Sequence, residues 1–168
     1  MIRTLGIDDL ATFKAIRLEA LRTEPAAFAS SVNDWEALPD EEWRKRLVDG
    51  PVFVAFKDEE PVGILGLIRQ RASKMAHRAT LIMVYMRSSE RGKGRSSALL
   101  DTAVAYAREN GIRQLELAVS AENGAALQFY RREGFHEAGR IPAGFLHDNR
   151  EIDEVVMVRR INDEEQLR

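Results

Sequence analysis

A glycine-rich loop between an apolar run and an amphipathic stretch constrains the fold of this chain more than any other feature. The run Thr80 to Met86 is almost continuously apolar, which favours a central strand covered on both faces. After the loop Arg91–Ser97, apolar residues recur at the spacing of a helix, at Leu99, Leu100, Ala103, Val104 and Ala107. Another β-rich run spans Leu115 to Val119. Strand, helix and strand in this order predict a βαβ crossover whose two strands are parallel and neighbours or near neighbours.

Further strands and helices are predicted on both sides of this unit. The other β-rich runs, of which the second and third form a hairpin, are Met1–Leu5, Val52–Phe56, Val62–Ile68, Phe135–Arg140 and Ile152–Arg159. Helical patterns cover Leu10–Ala20, Asp40–Val48 and Asn123–Gly134. Residues 24–39 are expected to be mostly irregular, with short helical turns that line a pocket. A loop containing Pro142 and Gly144 is expected between the last two strands.

The size and charge of the chain fit one domain without a nucleic-acid or membrane partner. The 168 residues are 45% apolar and 31% charged, so we expect a single domain over residues 1–168, with residues 161–168 as a frayed tail. Because 25 Lys and Arg residues face 27 Asp and Glu residues, the net charge of −2 creates no global field for either partner. No apolar run approaches the ~20 residues of a membrane span.

Cysteine and histidine usage argues against a metal site. The chain has no cysteine, which excludes a disulfide framework, thiolate metal sites and cysteine nucleophiles. His77, His136 and His147 are scattered and lack acidic partners at metal-ligand spacing, so no metal is expected. The first residues hold no apolar signal core, and the cytoplasm is the expected location.

The glycine loop has the properties of a phosphate-binding cradle. Gly92 and Gly94 let the backbone turn tightly, and the helix start behind them offers free N–H groups and a positive dipole end. Arg91, Lys93 and Arg95 add cationic side chains that favour a ligand with several phosphates. An ordinary strand-to-helix turn with solvated charges is the alternative.

The spacing of the loop argues against two nucleotide-binding motifs. A Walker A loop needs four residues between its glycines, followed by Gly-Lys-Ser/Thr, and the sequence lacks this spacing. The dinucleotide fingerprint GxGxxG lacks its third glycine because Ser97 holds that position, although Glu116 lies near where a ribose-binding acid is expected. A dinucleotide-binding protein therefore stays open as an alternative.

Two separated motifs make the chain resemble the GCN5-related N-acetyltransferase (GNAT) family. The string Val84–Gly94 resembles the family's cofactor motif, Arg/Gln-x-x-Gly-x-Gly/Ala, with Arg91 and Gly94 at its first and fourth positions. The segment Asn123–Phe135 matches a second motif, NxxAxxxYxxxGF, at the family's spacing. The resemblance covers nearly the whole chain. It implies an α/β fold whose mixed sheet of about seven strands is splayed at its centre and carries helices on both faces.

The resemblance implies that acetyl coenzyme A (acetyl-CoA) binds as co-substrate. Its pyrophosphate is expected on the backbone of the glycine loop, and its pantetheine arm along the splayed strand, much as a peptide adds to a sheet edge. Asn123 is expected to reach the same arm, with a plain helix N-cap as the alternative. Ser96 stands where the family has Gly or Ala, which is expected to alter contacts rather than abolish binding. The predicted cofactor-binding residues are Val84, Tyr85, Met86, Arg91, Gly92, Lys93, Gly94, Arg95, Ser96, Ser97, Asn123 and Tyr130.

Acetyl transfer also needs a stabilised oxyanion and a proton for the departing thiolate. Tyr130 matches the family's tyrosine and is predicted to donate that proton from its hydroxyl. The backbone N–H of Tyr85 or Met86 is predicted to hold the oxyanion.

The reaction also needs a general base for the acceptor amine. The positions that align with the family's base hold Thr80 and Ala118, and neither side chain takes a proton at neutral pH. Glu116 lies two residues before Ala118 on the same strand face, ~6.6 Å along the strand, and is the candidate base through a water. The alternatives are a Glu116 that faces solvent or pairs with an arginine, His77 as the base, and ordered water without a residue base.

The sequence thus predicts direct transfer of an acetyl group to a primary amine of a small molecule or peptide. The acceptor pocket is expected to use Arg17, Arg22, Phe28, Trp35, Phe145 and Asp148. Because neutral residues hold the base positions, a non-catalytic module that senses acyl-CoA is the second function class. A homodimer is expected from the habit of the family.

Overall fold

The computed structural model describes residues 1–161. The strands are β1 (Ile2–Thr4), β2 (Val52–Lys57), β3 (Glu60–Arg69), β4 (Arg78–Met86), β5 (Gln114–Ser120), β6 (His136–His147) and β7 (Arg150–Arg160). The α-helices are α1 (Leu10–Thr23), α2 (Val32–Glu36), α3 (Asp40–Asp49), α4 (Arg95–Glu109) and α5 (Gly124–Arg132). Short 3₁₀ turns lie at Ile7–Asp9, Pro25–Ala27, Ser73–Met75 and Ser88–Glu90.

All of these strands form one seven-stranded mixed sheet in the order β1-β2-β3-β4-β5-β7-β6. Strands β4 and β5 run parallel and are joined by α4, which confirms the predicted crossover between neighbours. The other strand pairs among residues 1–161 are antiparallel. Because a dinucleotide-binding fold is built on a mostly parallel sheet, the dinucleotide alternative is excluded.

Apolar side chains cover both faces of the sheet, as the almost continuous apolar run of β4 predicted. On one face Leu100 and Ala103 of α4 pack in a core cluster that includes Leu81 of β4. On the other face α1, α2 and α3 form a second cluster, in which the rings of Phe13 and Trp43 meet edge to face at 5.1 Å. Helices therefore pack on both faces of the sheet at β4.

Strands β4 and β5 separate after a short paired stretch. Residues Arg78–Thr80 pair with Gln114–Glu116, whereas β5 stays paired with β7 as far as Ser120. Beyond this stretch β4 carries a bulge opposite β3, at which Met83 adopts a φ of 58°. The predicted splay of the central strands is confirmed, and the bulge is a feature that the sequence analysis missed.

The C-terminal hairpin differs from the prediction. Strand β6 continues through the predicted loop at Pro142 and Gly144. It lies at the sheet edge, where a proline needs no ladder partner on its open side. The register shift between Ile141 and Phe145 accommodates the irregular residues without ending the strand.

Three other predictions have clear outcomes. The helix predicted over Asp40–Val48 is α3, and residues 24–39 hold only a 3₁₀ turn and the five-residue α2, as expected. The frayed tail was predicted from residue 161, but Ile161 is buried and donates its N–H to the Arg113 carbonyl oxygen at 2.9 Å. The rest of that predicted tail, residues 162–168, lies outside the described residues.

Candidate active site

A cavity of about 870 Å³ lies at the opening between β4 and β5. The glycine loop and α5 line it from one face of the sheet, and α1 with residues 27–30 lines it from the other. Its wall contains every predicted cofactor-binding residue except Lys93 and Arg95. The splay therefore joins two differently lined halves into one space.

The glycine loop leaves open space at the start of α4. Gly92 and Gly94 have φ values of 74° and 80°, a region that favours glycine, and a Cβ on either would meet no atom within 4 Å. The first helical hydrogen bond runs from the Ala98 N–H to the Gly94 carbonyl oxygen at 3.0 Å. The N–H groups of residues 95–97 precede this bond, so helix geometry leaves them available to a ligand.

A buried glutamate holds two of the three basic side chains of the loop, Lys93 and Arg95, away from the cavity. Glu90 is 4% exposed and accepts hydrogen bonds from Lys57 and Arg95, both at 3.0 Å. Lys93 Nζ lies 3.6 Å from the same carboxylate. The hydrogen bond from Lys57 is the main cause that lowers the pKa of Glu90. The structure thus does not bring Lys93 and Arg95 to the cavity wall, because they stabilise the loop from behind.

Arg91 connects the loop to the end of β4 and to α1. Its Nε donates to the Met86 carbonyl oxygen at 2.8 Å, and its Nη2 donates to Glu24 just beyond α1. Both Arg91 and Glu24 belong to the cavity wall.

A second set of contacts fixes α1 against β4. The Glu19 carboxylate accepts from the Tyr85 hydroxyl at 2.8 Å and from Arg87 Nη2 at 2.7 Å. Burial raises the pKa of Glu19, but the hydrogen bonds from Arg87 and Tyr85 outweigh it and hold that pKa below its usual range. Thr23 also donates to the Tyr85 hydroxyl at 3.2 Å. These contacts fix the Tyr85 side chain on the α1 side of β4.

Two predicted site residues on α5 reach the cavity. Asn123 is the N-cap of this helix, and its Oδ1 accepts from the Ala126 N–H at 3.2 Å. It also belongs to the cavity wall, so it caps the helix and lines the cavity at once. Tyr130 is 7% exposed and packs edge to face on Phe135 with ring centroids 5.6 Å apart. Burial raises the pKa of Tyr130, so its hydroxyl keeps its proton at neutral and moderately basic pH. Within residues 1–161 that hydroxyl has no hydrogen-bond partner.

Glu116, the predicted base, lies at the paired end of β4 and β5. Its carboxylate forms a two-point ion pair with Arg78, in which Nη2 lies 2.8 Å from Oε1, and also accepts from Gln114 at 3.0 Å. The hydrogen bond from Arg78 is the main cause that lowers the pKa of Glu116. Glu116 is absent from the cavity wall, and His77 is exposed and absent from it too. The structure therefore does not bring either candidate base to the opening.

Another carboxylate, which the sequence analysis did not single out, faces the cavity. Ala118 pairs directly with Val156 of β7, and Glu154 lies two residues away on the same strand, so Glu154 shares the face of Ala118 as its diagonal neighbour. Both Ala118 and Glu154 belong to the cavity wall. No described side chain hydrogen-bonds to the Glu154 carboxylate. Only the antiparallel register of β5 and β7 brings Glu154 to this place, so no local motif could have found it.

The cavity wall contains most of the residues predicted for the acceptor pocket. It includes Arg17, Phe28, Trp35 and Phe145. Arg22 is absent from the wall and forms a 2.6 Å ion pair with Glu36. Asp148, in the turn between β6 and β7, is also absent, whereas Glu24 and Arg46 are wall residues that the sequence analysis missed.

The described residues contain neither a membrane-spanning helix nor a cluster of metal-binding side chains. Along residues 1–161, no helix combines the length and apolar character that crossing a membrane requires. Those residues also hold no group of three or more His, Asp or Glu side chains placed to bind a metal ion. That the protein works without a metal stays a prediction.

Comparison with known proteins identifies related sequences. A family model described as the acetyltransferase (GNAT) family matches residues 16–135. An uncharacterized N-acetyltransferase from Methanocaldococcus jannaschii is 31% identical over 138 residues, which are 81% of this chain and 60% of that protein. An L-methionine sulfoximine/L-methionine sulfone acetyltransferase from Pseudomonas paraeruginosa is 36% identical over 59 residues, or 35% of this chain and 34% of that protein. The matches thus span less than two thirds of the length of each of these relatives.

A solved structure resembles the fold over almost its full length. The acetyltransferase of the GNAT family from Streptococcus pneumoniae superposes with a TM-score of 0.83 and is 25% identical. The match covers 96% of this chain and 99% of that one. The seven-stranded sheet with its helices is therefore a known arrangement, and the outcome agrees with the predicted fold class.

Proposed function

This chain belongs to the acetyltransferase (GNAT) family, and from that membership we propose that it transfers an acetyl group from acetyl-CoA directly to a primary amine. The observation that carries the proposal is the single cavity at the splay of β4 and β5. One half of it has the free N–H groups of a phosphate cradle, and the other half has an apolar and charged pocket. A donor and an acceptor that enter from opposite faces of the sheet would meet between the strands.

The residues around the cavity fit acetyl-CoA as co-substrate. The N–H groups of residues 95–97 suit its pyrophosphate, since Gly92 and Gly94 leave the backbone uncovered there. Beyond Thr80, the backbone of β4 has no ladder partner on the β5 side within residues 1–161, and an extended amide chain can pair with such an edge. Acetyl-CoA supplies an activated thioester.

Tyr130 and Glu154 are the proposed proton donor and acceptor. In this scheme Glu154 takes a proton from the acceptor ammonium, directly or through a water, and the free amine then attacks the thioester carbon. The C–N bond forms and the C–S bond breaks, while the Tyr130 hydroxyl protonates the departing sulfur. The second proton lost by the nitrogen restores Tyr130. The unpartnered state of both side chains and their position in the wall support these roles.

Glu154 replaces Glu116 in this proposal for a geometric reason. The Glu116 carboxylate already has Arg78 and Gln114 as partners at the closed end of the strands. Glu154 lies on the cavity side of β7, diagonal to the position at which the family resemblance places a base. A free carboxylate beside the cavity also has no evident use in a protein that only senses acyl-CoA, so it favours catalysis over that alternative.

The names of two relatives favour a small-molecule acceptor. The relative from Pseudomonas paraeruginosa is named for two amino-acid analogues. A relative from Brachybacterium faecium, 26% identical over 79% of this chain and 39% of that protein, is named a mycothiol acetyltransferase. We propose a small molecule as the first class to test, with peptides as the second.

Three further properties complete the proposal. The two core clusters share the same sheet, which supports one domain. We also propose the cytoplasm as its location, which the sequence analysis expects from the first residues. Strand β6 is a sheet edge with Ile141 49% and Leu146 72% exposed, which supports a homodimer along this edge. Light scattering of the purified protein tests the last point, because a monomer at every concentration would contradict it.

Isothermal titration of acetyl-CoA tests the first step of the proposed function. We expect one binding site per chain. Free coenzyme A should compete for it, because the pyrophosphate and pantetheine contacts do not depend on the acetyl group. A protein that binds neither molecule would contradict the assignment of the glycine loop.

A further inference from the structure

A buried arginine on α1 has no anionic partner among residues 1–161. Arg17 is 4% exposed, and its Nε and Nη1 atoms are buried without a hydrogen bond. No carboxylate of residues 1–161 forms an ion pair with it. Burying a charged group without a partner costs free energy. Such a group is therefore uncommon in a folded protein unless a bound ligand supplies the opposite charge.

Aromatic rings hold this guanidinium at the cavity wall. The Arg17 guanidinium carbon lies 4.5 Å from the centroid of the Trp35 ring and 4.9 Å from that of Phe28. All three residues line the acceptor half of the cavity. The rings compensate part of the charge through their π faces, but they accept no in-plane hydrogen bonds from the guanidinium fork.

A second arginine increases the positive charge at the same place. The Arg46 guanidinium carbon lies 4.3 Å from the centroid of the Trp35 ring, and Arg46 belongs to the cavity wall. Burial, and then the charge of Arg46, lower the pKa of Arg17 to about 10, so Arg17 keeps its charge at neutral pH. The wall carboxylates are Glu24, which Arg91 engages, and Glu154 on β7. Two cations thus share one aromatic ring, and the buried one has no anion beside it in the described part of the chain.

We propose that the amine acceptor carries a carboxylate, which Arg17 and Arg46 bind at the acceptor end of the cavity. The inference rests on the proposed acetyl transfer and names its substrate class as amino acids. A planar guanidinium fork suits a carboxylate because it donates two parallel hydrogen bonds. The Glu154 carboxylate, in the same cavity, suits the ammonium end of such a molecule.

A panel of the common L-amino acids and their C-terminal amides tests the proposal on the wild-type protein. Thiol release from acetyl-CoA is measured for each pair, together with tyramine and spermidine as amines without a carboxylate. We expect kcat/KM to be about 10- to 100-fold higher for the best amino acid than for its amide. The amide has the more acidic ammonium group and hence more free amine, so a lower rate cannot come from protonation.

The variant Arg17→Met tests whether Arg17 causes the preference for an amino acid over its amide. We expect the preference for the acid over the amide to fall towards unity, mainly through KM, while the affinity for acetyl-CoA is unchanged. Removing an unpartnered charge should leave the melting temperature equal or higher, whereas a merely structural arginine would lower it. Arg22→Met is the matched control because Arg22 lies on the same helix outside the cavity wall.

The variant Arg46→Gln serves as a second test, since Arg46 is exposed and the change is tolerable for folding. It should also weaken the preference, and Arg44→Gln on the same helix should not. Equal use of acid and amide by the wild type, or an unchanged preference in both Arg17→Met and Arg46→Gln, would overturn the inference alone. No thiol release with any amine, with or without a carboxylate, would overturn the proposed function and this inference with it.

Discussion

At the scale of single residues, Tyr130 is the most direct test of the proposed chemistry. We expect Tyr130→Phe to lower kcat about 100-fold, since the departing sulfur loses its proton donor. Acetyl-CoA affinity should change little because the ring packing on Phe135 is kept. Burial raises the pKa of Tyr130, so the wild-type rate should not fall through loss of this proton even as pH rises past 10.

Tyr106→Phe is the control for that experiment. Tyr106 lies on α4, packs on Phe53 at 5.7 Å and is absent from the cavity wall. Its variant should keep the wild-type rate. Wild-type kcat in Tyr130→Phe at every pH would remove Tyr130 from the mechanism.

Glu154 carries the second prediction at this scale. We expect Glu154→Gln to lower kcat about 100-fold at neutral pH and to regain rate at high pH, where more of the amine is already free. Steady-state pH profiles measure both effects. Glu151→Gln changes an exposed carboxylate on the same strand and should be silent. A pH profile of Glu154→Gln that matches the wild type would show that another group, or water, accepts the proton.

Glu116 is expected to contribute to stability rather than to catalysis. Its pKa is lowered in the folded protein, so its contribution is present above the ordinary glutamate pKa of about 4.3 and is lost as pH falls through the lowered value. Glu116→Gln should therefore cost about 1–3 kcal/mol of unfolding free energy at pH 7. The difference from the wild type should shrink in acid, which urea unfolding at several pH values measures. Normal stability with abolished transfer would instead restore Glu116 as the base.

Sequence alone predicted the site residues that lie in one local motif, but not those that distant segments bring together. Tyr130 and Asn123 could be placed because they lie in one local motif whose spacing survives folding. Glu154 and Arg46 could not, because each reaches the cavity through pairing or packing with distant segments. Met83 gives no local signal either, since methionine has no preference for its φ of 58°.

At the scale of elements, the glycine loop and the start of α4 carry a prediction about backbone conformation. Gly94→Ala places a Cβ in open space, so its effect comes from the φ of 80° alone. We expect a loss of about 1–2 kcal/mol in unfolding free energy. Acetyl-CoA affinity should fall roughly 10-fold as the N–H groups behind the loop shift.

Gly124→Ala at the start of α5 is the matched control. A methyl group on the Gly124 Cα would also meet open space, but this glycine lies outside the left-handed region. Alanine there should be neutral or stabilise by about 0.4–1 kcal/mol. Equal affinities for acetyl-CoA in Gly94→Ala and Gly124→Ala would contradict the phosphate cradle.

Elements were predicted well wherever periodicity was strong. The helix stripe of α4 and the apolar run of β4 fixed their types, because each pattern is continuous over many residues. Strand β6 was underestimated because Pro142 and Gly144 are typical of loops, whereas an edge strand tolerates both. The bulge of β4 depends on its pairing with β3, which no single segment encodes.

At the scale of the whole molecule, the chain order of its elements determined the sheet more firmly than any local detail. The crossover through α4 made β4 and β5 parallel neighbours, and the early separation of this pair leaves the opening for the cavity. The sequence was enough to assign the lining of each half of the cavity to particular loops and helices. That the two halves meet at one opening could be seen only in the folded sheet.

Acceptor-dependent release of free thiol from acetyl-CoA tests the central claim most directly, because it requires both halves of the cavity to work together. We predict that the wild-type protein releases thiol when amines from the panel of amino acids, polyamines and peptides are present, and that product amide forms in equal amount. Binding of acetyl-CoA without thiol release for any amine would contradict catalysis and favour a protein that only senses acyl-CoA.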